Sequence, residues 1–156
     1  MPANNAINFR TPLPLVFETV VANTAAVTGD GTTYVIDWTS EKYDLDSNFS
    51  GTTFTAPYTG KYFVMCHCVA YGIDASYTSA LLEIGAVGNK LVSVNNPSSV
   101  FRSDGRVRIS LNGILVLTIG DTVTASITVS GGALNNGLIG NAGTPDSRLC
   151  IFSLNH

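Results

Sequence analysis

At 156 residues the chain has the length of one domain, with enough interior for a core that needs no disulfide or metal staple. Hydrophobic residues reach 45%, charged residues only 12%, and the net charge is −3, which excludes a disordered chain. The eight basic residues form no stripe, so no nucleic acid partner is expected, and no apolar run reaches the roughly 18 residues of a membrane helix, so no membrane insertion is expected.

The first five residues, Met1-Pro2-Ala3-Asn4-Asn5, carry neither a basic nor an apolar leader region, so no signal peptide is expected in this chain. Residues 1–14 hold three prolines and no periodicity and read as an N-terminal arm or linker. The domain proper is expected over 15–156. Its first strand-like run is 15–21. A turn signal follows at Thr28-Gly29-Asp30-Gly31, then a second run at 33–38. Residues 41–47 are polar and are expected to be loop. A short strand is expected over 49–55, closed by Ala56-Pro57 and the turn at Thr59-Gly60.

Residues 61–71 make the strongest strand pattern in the chain. With period two, Tyr62, Val64, Cys66 and Cys68 share one face, and Phe63, Met65, Val69 and Tyr71 share the other. A strand apolar on both faces is covered on both sides. A partner sheet can cover one side, and a neighbouring subunit is the simplest cover for the other. Two runs at 77–85 and 90–94 flank a hairpin turn, and 95–105 is expected to be loop. Runs at 106–119 and 122–130 flank the tight turn Gly120-Asp121. Residues 131–147 are rich in Gly and Asn, and 148–154 form a closing strand. Eight to ten short strands joined by turns, with no helix pattern, give an all-β sandwich or jelly roll.

The three cysteines, Cys66, Cys68 and Cys150, are an odd number, which argues against a disulfide framework. His67 faces away from both of its cysteine neighbours, so Cys-His-Cys is not a metal motif, and free buried thiols are expected.

Between Trp38 and Tyr62 the spacing resembles the signature of the complement C1q / tumour necrosis factor family. Trp38, Asp44 and Phe49 keep that signature's first two gaps, and Phe54, Gly60 and Tyr62 keep its last two. The segment 54–62, with Pro57 and Gly60 before Tyr62, is the closest match. Trp38 stands where Phe is usual, the gap from Phe49 to Phe54 is four residues rather than six, and Val64 and Cys66 replace later aromatics. Leu115, Leu117, Gly120, Asp121 and Val123 resemble the family's penultimate hairpin, and 149–154 its closing strand.

The resemblance implies a jelly-roll β-sandwich that works as a homotrimer. It implies a core of Trp38, Phe49, Phe54, Tyr62, Val64 and Phe152, and Phe63, Met65, His67 and Tyr71 at the trimer interface. It also implies a closing strand beside 61–71, with Cys150 close to Cys66 or Cys68. The Asn-, Thr- and Gly-rich style is similar to microbial and phage members. The implied role is a receptor-binding or adhesion head at the tip of a phage or bacterial surface fibre. The location would then be extracellular or on a virion surface, reached without a signal peptide. The alternative is a purely structural trimerisation or capsid-decoration domain.

Binding is expected on loops held by a rigid scaffold. Asp74, Tyr77, Asn135, Asn136 and Asn141 are the candidates, because amides, a carboxylate and an aromatic suit sugars or a protein receptor. No catalytic residues are expected: His67 lies in a strand, His156 is terminal, and neither has a nucleophile elbow beside it. No cofactor is expected. Asp44-Leu45-Asp46-Ser47-Asn48 begins like a calcium loop, but Phe49 stands where the loop needs Gly and no ligating Glu follows at the right distance. A calcium site of another kind stays open, because some family members bind calcium near the trimer top.

Overall fold

The computed structural model describes residues 15–20, 24–44, 47–140 and 146–154. The expected arm at 1–14 and the candidate Asn141 lie outside them. Twelve strands are described: β1 Leu15–Val20, β2 Thr33–Val35, β3 Ser40–Asp44, β4 Phe49–Ser50, β5 Thr53–Thr55 and β6 Gly60–Tyr71, followed by β7 Ser79–Ala86, β8 Asn89–Asn95, β9 Val107–Leu117, β10 Thr122–Ser130, β11 Gly137–Ile139 and β12 Arg148–Ser153. Among the described residues the one helical element is a single 3-10 turn at Pro97–Ser99, capped by the Asn96 side chain on Ser98 N–H.

The strands form two antiparallel sheets. In the first, β6 pairs along its length with β9 on one side and with β12 and β11 on the other, and β12 continues through β1 to β3. The second runs β4-β5-β10-β7-β8, with β2 also pairing β10. Alternation decides what lies between them. Tyr62, Val64, Cys66 and Cys68 of β6 point inward and meet Phe54, Leu82, Ile84 and Ile127 of the second sheet in one buried cluster. Trp38, Phe49 and Phe54 are buried there too. Along β9 the inward positions read Ile109, Leu111, Gly113, Leu115 and Leu117. A Cβ at Gly113 would come within 2.8 Å of the Leu91 side chain, so this glycine lets β8 of the other sheet close over β9.

The segment 54–62 shows why its spacing matters. The Phe54 and Tyr62 rings meet edge to face, with centroids 6.1 Å apart. The hydroxyl of the buried Tyr62 donates to the Tyr58 carbonyl at 2.8 Å and accepts from Tyr58 N–H at 3.3 Å. The turn between Pro57 and Gly60 therefore returns the chain to satisfy the one polar atom of that ring.

Several expected boundaries shift. Residues 41–47, expected as loop, contain most of β3. Glu41 and Lys42 are exposed, and the strand pairs only with β1 at the sheet margin, where charged residues blunt an open edge. The expected strand 49–55 is a small hairpin, with Ser50 opposite Thr53 across Gly51. The run 33–38 stays in the ladder only to Val35, although Ile36 N–H still reaches the Ala125 carbonyl at 2.9 Å. The Gly-rich stretch holds β11, a three-residue strand too short to display a period.

Phe152 departs from its expected core position. It sits directly opposite Phe63 in the β12–β6 ladder, and directly opposed residues share a face. Phe63 points out of the sandwich, so Phe152 does as well, half-buried, its ring 6.1 Å from that of Phe63. Leu149 and Ile151 take the inward positions instead. The same register places Cys150 opposite Met65, while Leu149 pairs with Cys66.

Candidate functional site

Strand direction gives the molecule two ends. Leu15 pairs with Phe152 and Ser153 with Tyr62, so the described chain enters and leaves at the Gly60 end of β6. The other end, around Tyr71, carries the loops 24–32, 72–78, 96–106 and 131–136, because Ser79 pairs with Ser130 and Ala70 with Val107 there. Two surfaces follow from this geometry: the outer face of the first sheet and the loop-bearing distal end.

On the outer face, Phe63, Met65, His67 and Tyr71 of β6 are all half-buried, and Val69 is buried. Beside them Phe152 lies on β12, and Ile114 and Val116 stand 54% and 56% exposed on β9. Phe63 faces Ile114, and Lys61 faces Val116, across the ladder. The sequence reading identified the β6 residues but missed Ile114, Val116 and Phe152. The signal was present in the unbroken apolar run 114–117, which a strand with one solvated face does not carry.

The distal loops are cross-tied. Asn136 is fully buried, and its amide nitrogen donates to the carbonyls of Tyr71 at 3.2 Å and Gly72 at 2.7 Å. Its backbone exchanges hydrogen bonds with Thr28. The Thr28 hydroxyl donates to the Thr32 carbonyl and accepts from Val129 N–H. The Tyr71 hydroxyl donates to the Thr24 carbonyl at 2.7 Å. Gly137 lies so close to that carbonyl that a Cβ would stand 2.0 Å from its oxygen. Tyr77 is 1% exposed, and its hydroxyl donates to the Asn135 side-chain oxygen.

Tyr77 and Asn136, expected as ligand-binding loop residues, are therefore interior. An aromatic anchors its loop to the core, and a buried amide replaces missing backbone partners. Asn135 is exposed, but its carbonyl oxygen is taken by Tyr77. Asp74 is exposed and accepts from the N–H and hydroxyl of Ser76, and those bonds hold its carboxyl below the usual range. Asp44, first oxygen of the calcium-like stretch, accepts from Asn48 N–H and Phe49 N–H, and so closes the turn before β4. Residues 45 and 46 lie outside the described set. No group of three or more His, Cys, Asp or Glu stands close enough to hold a metal among the described residues.

Cys66 and Cys68 point the same way, with sulfurs 3.9 Å apart, and all three cysteines are buried thiols outside any disulfide. Hydrogen bonding to Cys68 and burial push the Cys66 thiol well above its usual range, so it stays protonated and inert.

Two adjoining clefts open at the distal end. One, of about 310 Å³, is lined by Tyr71, Asp104, Arg106 and Ile139. The other, of about 280 Å³, is lined by Val69, Val100, Arg102, Arg106, Arg108 and Asp146.

No family model and no curated relative matches the sequence. Among solved structures the chain is similar to the globular domain of zebrafish complement 1qA protein. That likeness is at 14% identity with a TM-score of 0.54, and it covers 92% of this chain and 98% of that one. At this identity the likeness is one of fold: an all-β sandwich of the C1q globular-domain kind.

Proposed function

We propose that the chain is a homotrimeric receptor-binding or adhesion module with a C1q/TNF-type jelly roll, the distal head of a phage or bacterial surface fibre. The observation that carries this reading is the apolar outer face of the first sheet. Phe63, Met65, Ile114, Val116 and Phe152 cluster on this face toward the Gly60 end of β6, on a sheet whose inner face is already filled, while Asn112, Ser110 and Arg108 share the face toward its distal end. Contiguous apolar surface of this kind marks an association face. Three copies related by a three-fold axis bury it in a closed, symmetric way. The polarity of the domain supports the same reading: the described chain enters and leaves at one end, where a stalk would attach, and loops crowd the other. The module works outside the cell or on a virion, without catalysis and without a cofactor.

Light scattering at micromolar concentration tests the assembly, with a mass three times that of the 16.4 kDa chain expected. A monomer sinks the proposal. Adsorption of the labelled trimer to host cells tests the binding role. The second reading, a structural trimer that caps a stalk or decorates a capsid, draws on the distal network. Tyr77, Asn135 and Asn136, three of the polar side chains suited to a ligand, are spent on internal hydrogen bonds. A trimer that adsorbs to no host surface, and whose removal only destabilises its stalk, favours that reading.

A further inference from the structure

The chain is acidic, yet its arginines are unevenly placed. Of the eight Lys and Arg residues, Arg102, Arg106 and Arg108 line one distal cleft, with Asp146 as the acid in its wall. Their positions are fixed by backbone. Residues 102–106 form a tight turn: Arg102 N–H reaches the Arg106 carbonyl at 2.9 Å, and Gly105 N–H reaches the Arg102 carbonyl at 2.8 Å. Gly105 takes φ +73°, a conformation that favours glycine. Its carbonyl accepts from Ile73 N–H at 3.0 Å, which ties the turn to the neighbouring loop. Asp104 caps the turn by accepting from Arg106 N–H. It meets the guanidinium groups of Arg102 and Arg106 through their Nε atoms, at 3.8 and 3.5 Å. Arg108 projects from β9 opposite Val69, exposed, on the same outer face.

The cleft walls are not uniformly polar. Val69 and Val100 line the arginine cleft, and Tyr71 and Ile139 line the adjoining one, with Arg106 shared by both. Cavities of about 300 Å³ are at the lower end of small-molecule sites. Guanidinium groups held in fixed geometry grip planar or tetrahedral oxyanions through paired N–H donors.

We infer that these clefts bind a saccharide carrying an oxyanion, a carboxylate or a sulfate ester, with Arg106 and Arg108 on the charged group and Tyr71, Val69 and Ile139 along the sugar ring. The inference deepens the binding-module reading and rests on it for the distal end being the end that meets a surface. In the proposed trimer this face turns inward, so three arginine clefts would surround the distal mouth of the axis. A bound anion would then relieve their mutual repulsion and raise the melting temperature of the assembly.

Isothermal titration of the full chain with glucuronate, galactose 6-sulfate, glucose and inorganic sulfate tests it. Binding of either acidic sugar is expected, at least tenfold tighter than glucose and tighter than inorganic sulfate. Arg106→Gln and Arg108→Gln should each weaken it about tenfold or more, in line with loss of a charge-assisted contact. Asp146→Asn should tighten it about threefold by removing a like charge from the wall. Lys90→Gln, at the opposite end of the molecule, should leave it unchanged. The arginine side chains are exposed, so circular dichroism and light scattering should show the variants folded and assembled as the parent. No binding of any oxyanion at millimolar concentration overturns the inference, as does equal affinity for glucose or for inorganic sulfate, or binding indifferent to both arginine variants. Host-cell adsorption of the same preparations separates the two ideas. Cells bound without any acidic-sugar affinity refute the cleft and leave the adhesion role standing, while acidic-sugar affinity without cell binding does the reverse.

Discussion

The outer faces of the two sheets obey the same alternation and differ in what they show to solvent. On the first sheet the outward side chains of β6, β9 and β12 include Phe63, Met65, Ile114, Val116 and Phe152. On the second, those of β2, β7 and β10 include Thr33, Glu83, Thr124, Ser126 and Thr128, and the Thr33 and Thr128 hydroxyls bond each other at 2.8 Å. The exposed apolar residues of the second sheet are Val35, opposite Ser126, Val92, opposite Glu83, and Val94, opposite the half-buried Leu81. A few small surface valines are ordinary, whereas a cluster of Phe, Met and Ile side chains on one face is not. Both sheets have filled inner faces, so the contrast concerns what lies beyond the sandwich. One face is polar enough to be finished by water, and the other leaves an apolar cluster open.

The largest test sets one face against the other. Ile114→Glu places a charge in the proposed contact but in solvent for the isolated chain. It should weaken assembly by about 100-fold or more, the scale of an unpaired buried charge. Val35→Glu, on the second sheet, should leave the sedimentation velocity profile of the trimer unchanged. Equal effects, or none, would erase the distinction between the faces.

Below the faces both sheets depend on the same distal tie. Asn136→Ala leaves the Tyr71 and Gly72 carbonyls without their donor and should cost about 1–3 kcal/mol in urea unfolding. Chemical denaturation against pH sharpens the role of the first sheet's inner face. Cys66 keeps its proton in the native chain beyond the ordinary thiol value of 9.0, while the unfolded chain loses it. The contribution of Cys66 to stability is therefore constant below pH 9.0 and falls as pH rises above it. Cys66→Ser should change that alkaline slope, and a parent protein with a flat profile to pH 10 would contradict the burial argument. The smallest effect belongs to the second sheet's solvated face. The Lys90–Glu83 ion pair is 2.7 Å long, but the lysine is exposed, so Lys90→Gln should shift stability by less than about 1 kcal/mol.

Much of this was legible in the residues. The two-faced pattern of 61–71 announced both the core stripe and the outer stripe. The Phe54–Tyr62 segment marked the turn whose chemistry the Tyr62 hydroxyl completes. The hairpin at Gly120-Asp121 and the closing strand stood where their turn residues and apolar runs placed them. The differences come from what local pattern leaves open. The family resemblance puts Phe152 in the core, but register against Phe63 decides its face, and a one-residue shift reverses a strand's sides. Tyr77 and Asn136 have the composition of binding loops, and nothing local distinguishes a side chain that grips a ligand from one that replaces a backbone partner. β3 was hidden because an edge strand with a solvated surface needs no apolar period.

What the sequence determined by itself was the class of structure: short alternating runs separated by Gly, Pro and Asn can bury themselves only as stacked sheets. What the tertiary structure decided was which residues share a surface. Ile114 and Phe152 join Phe63 only through ladder register. Arg102, Arg106 and Arg108 meet Tyr71 and Val69 only because β9 runs antiparallel to β6 and carries its leading turn to the distal end. Local pattern fixes how a strand alternates, whereas pairing across long stretches of chain fixes its neighbours, and a binding surface is made of neighbours.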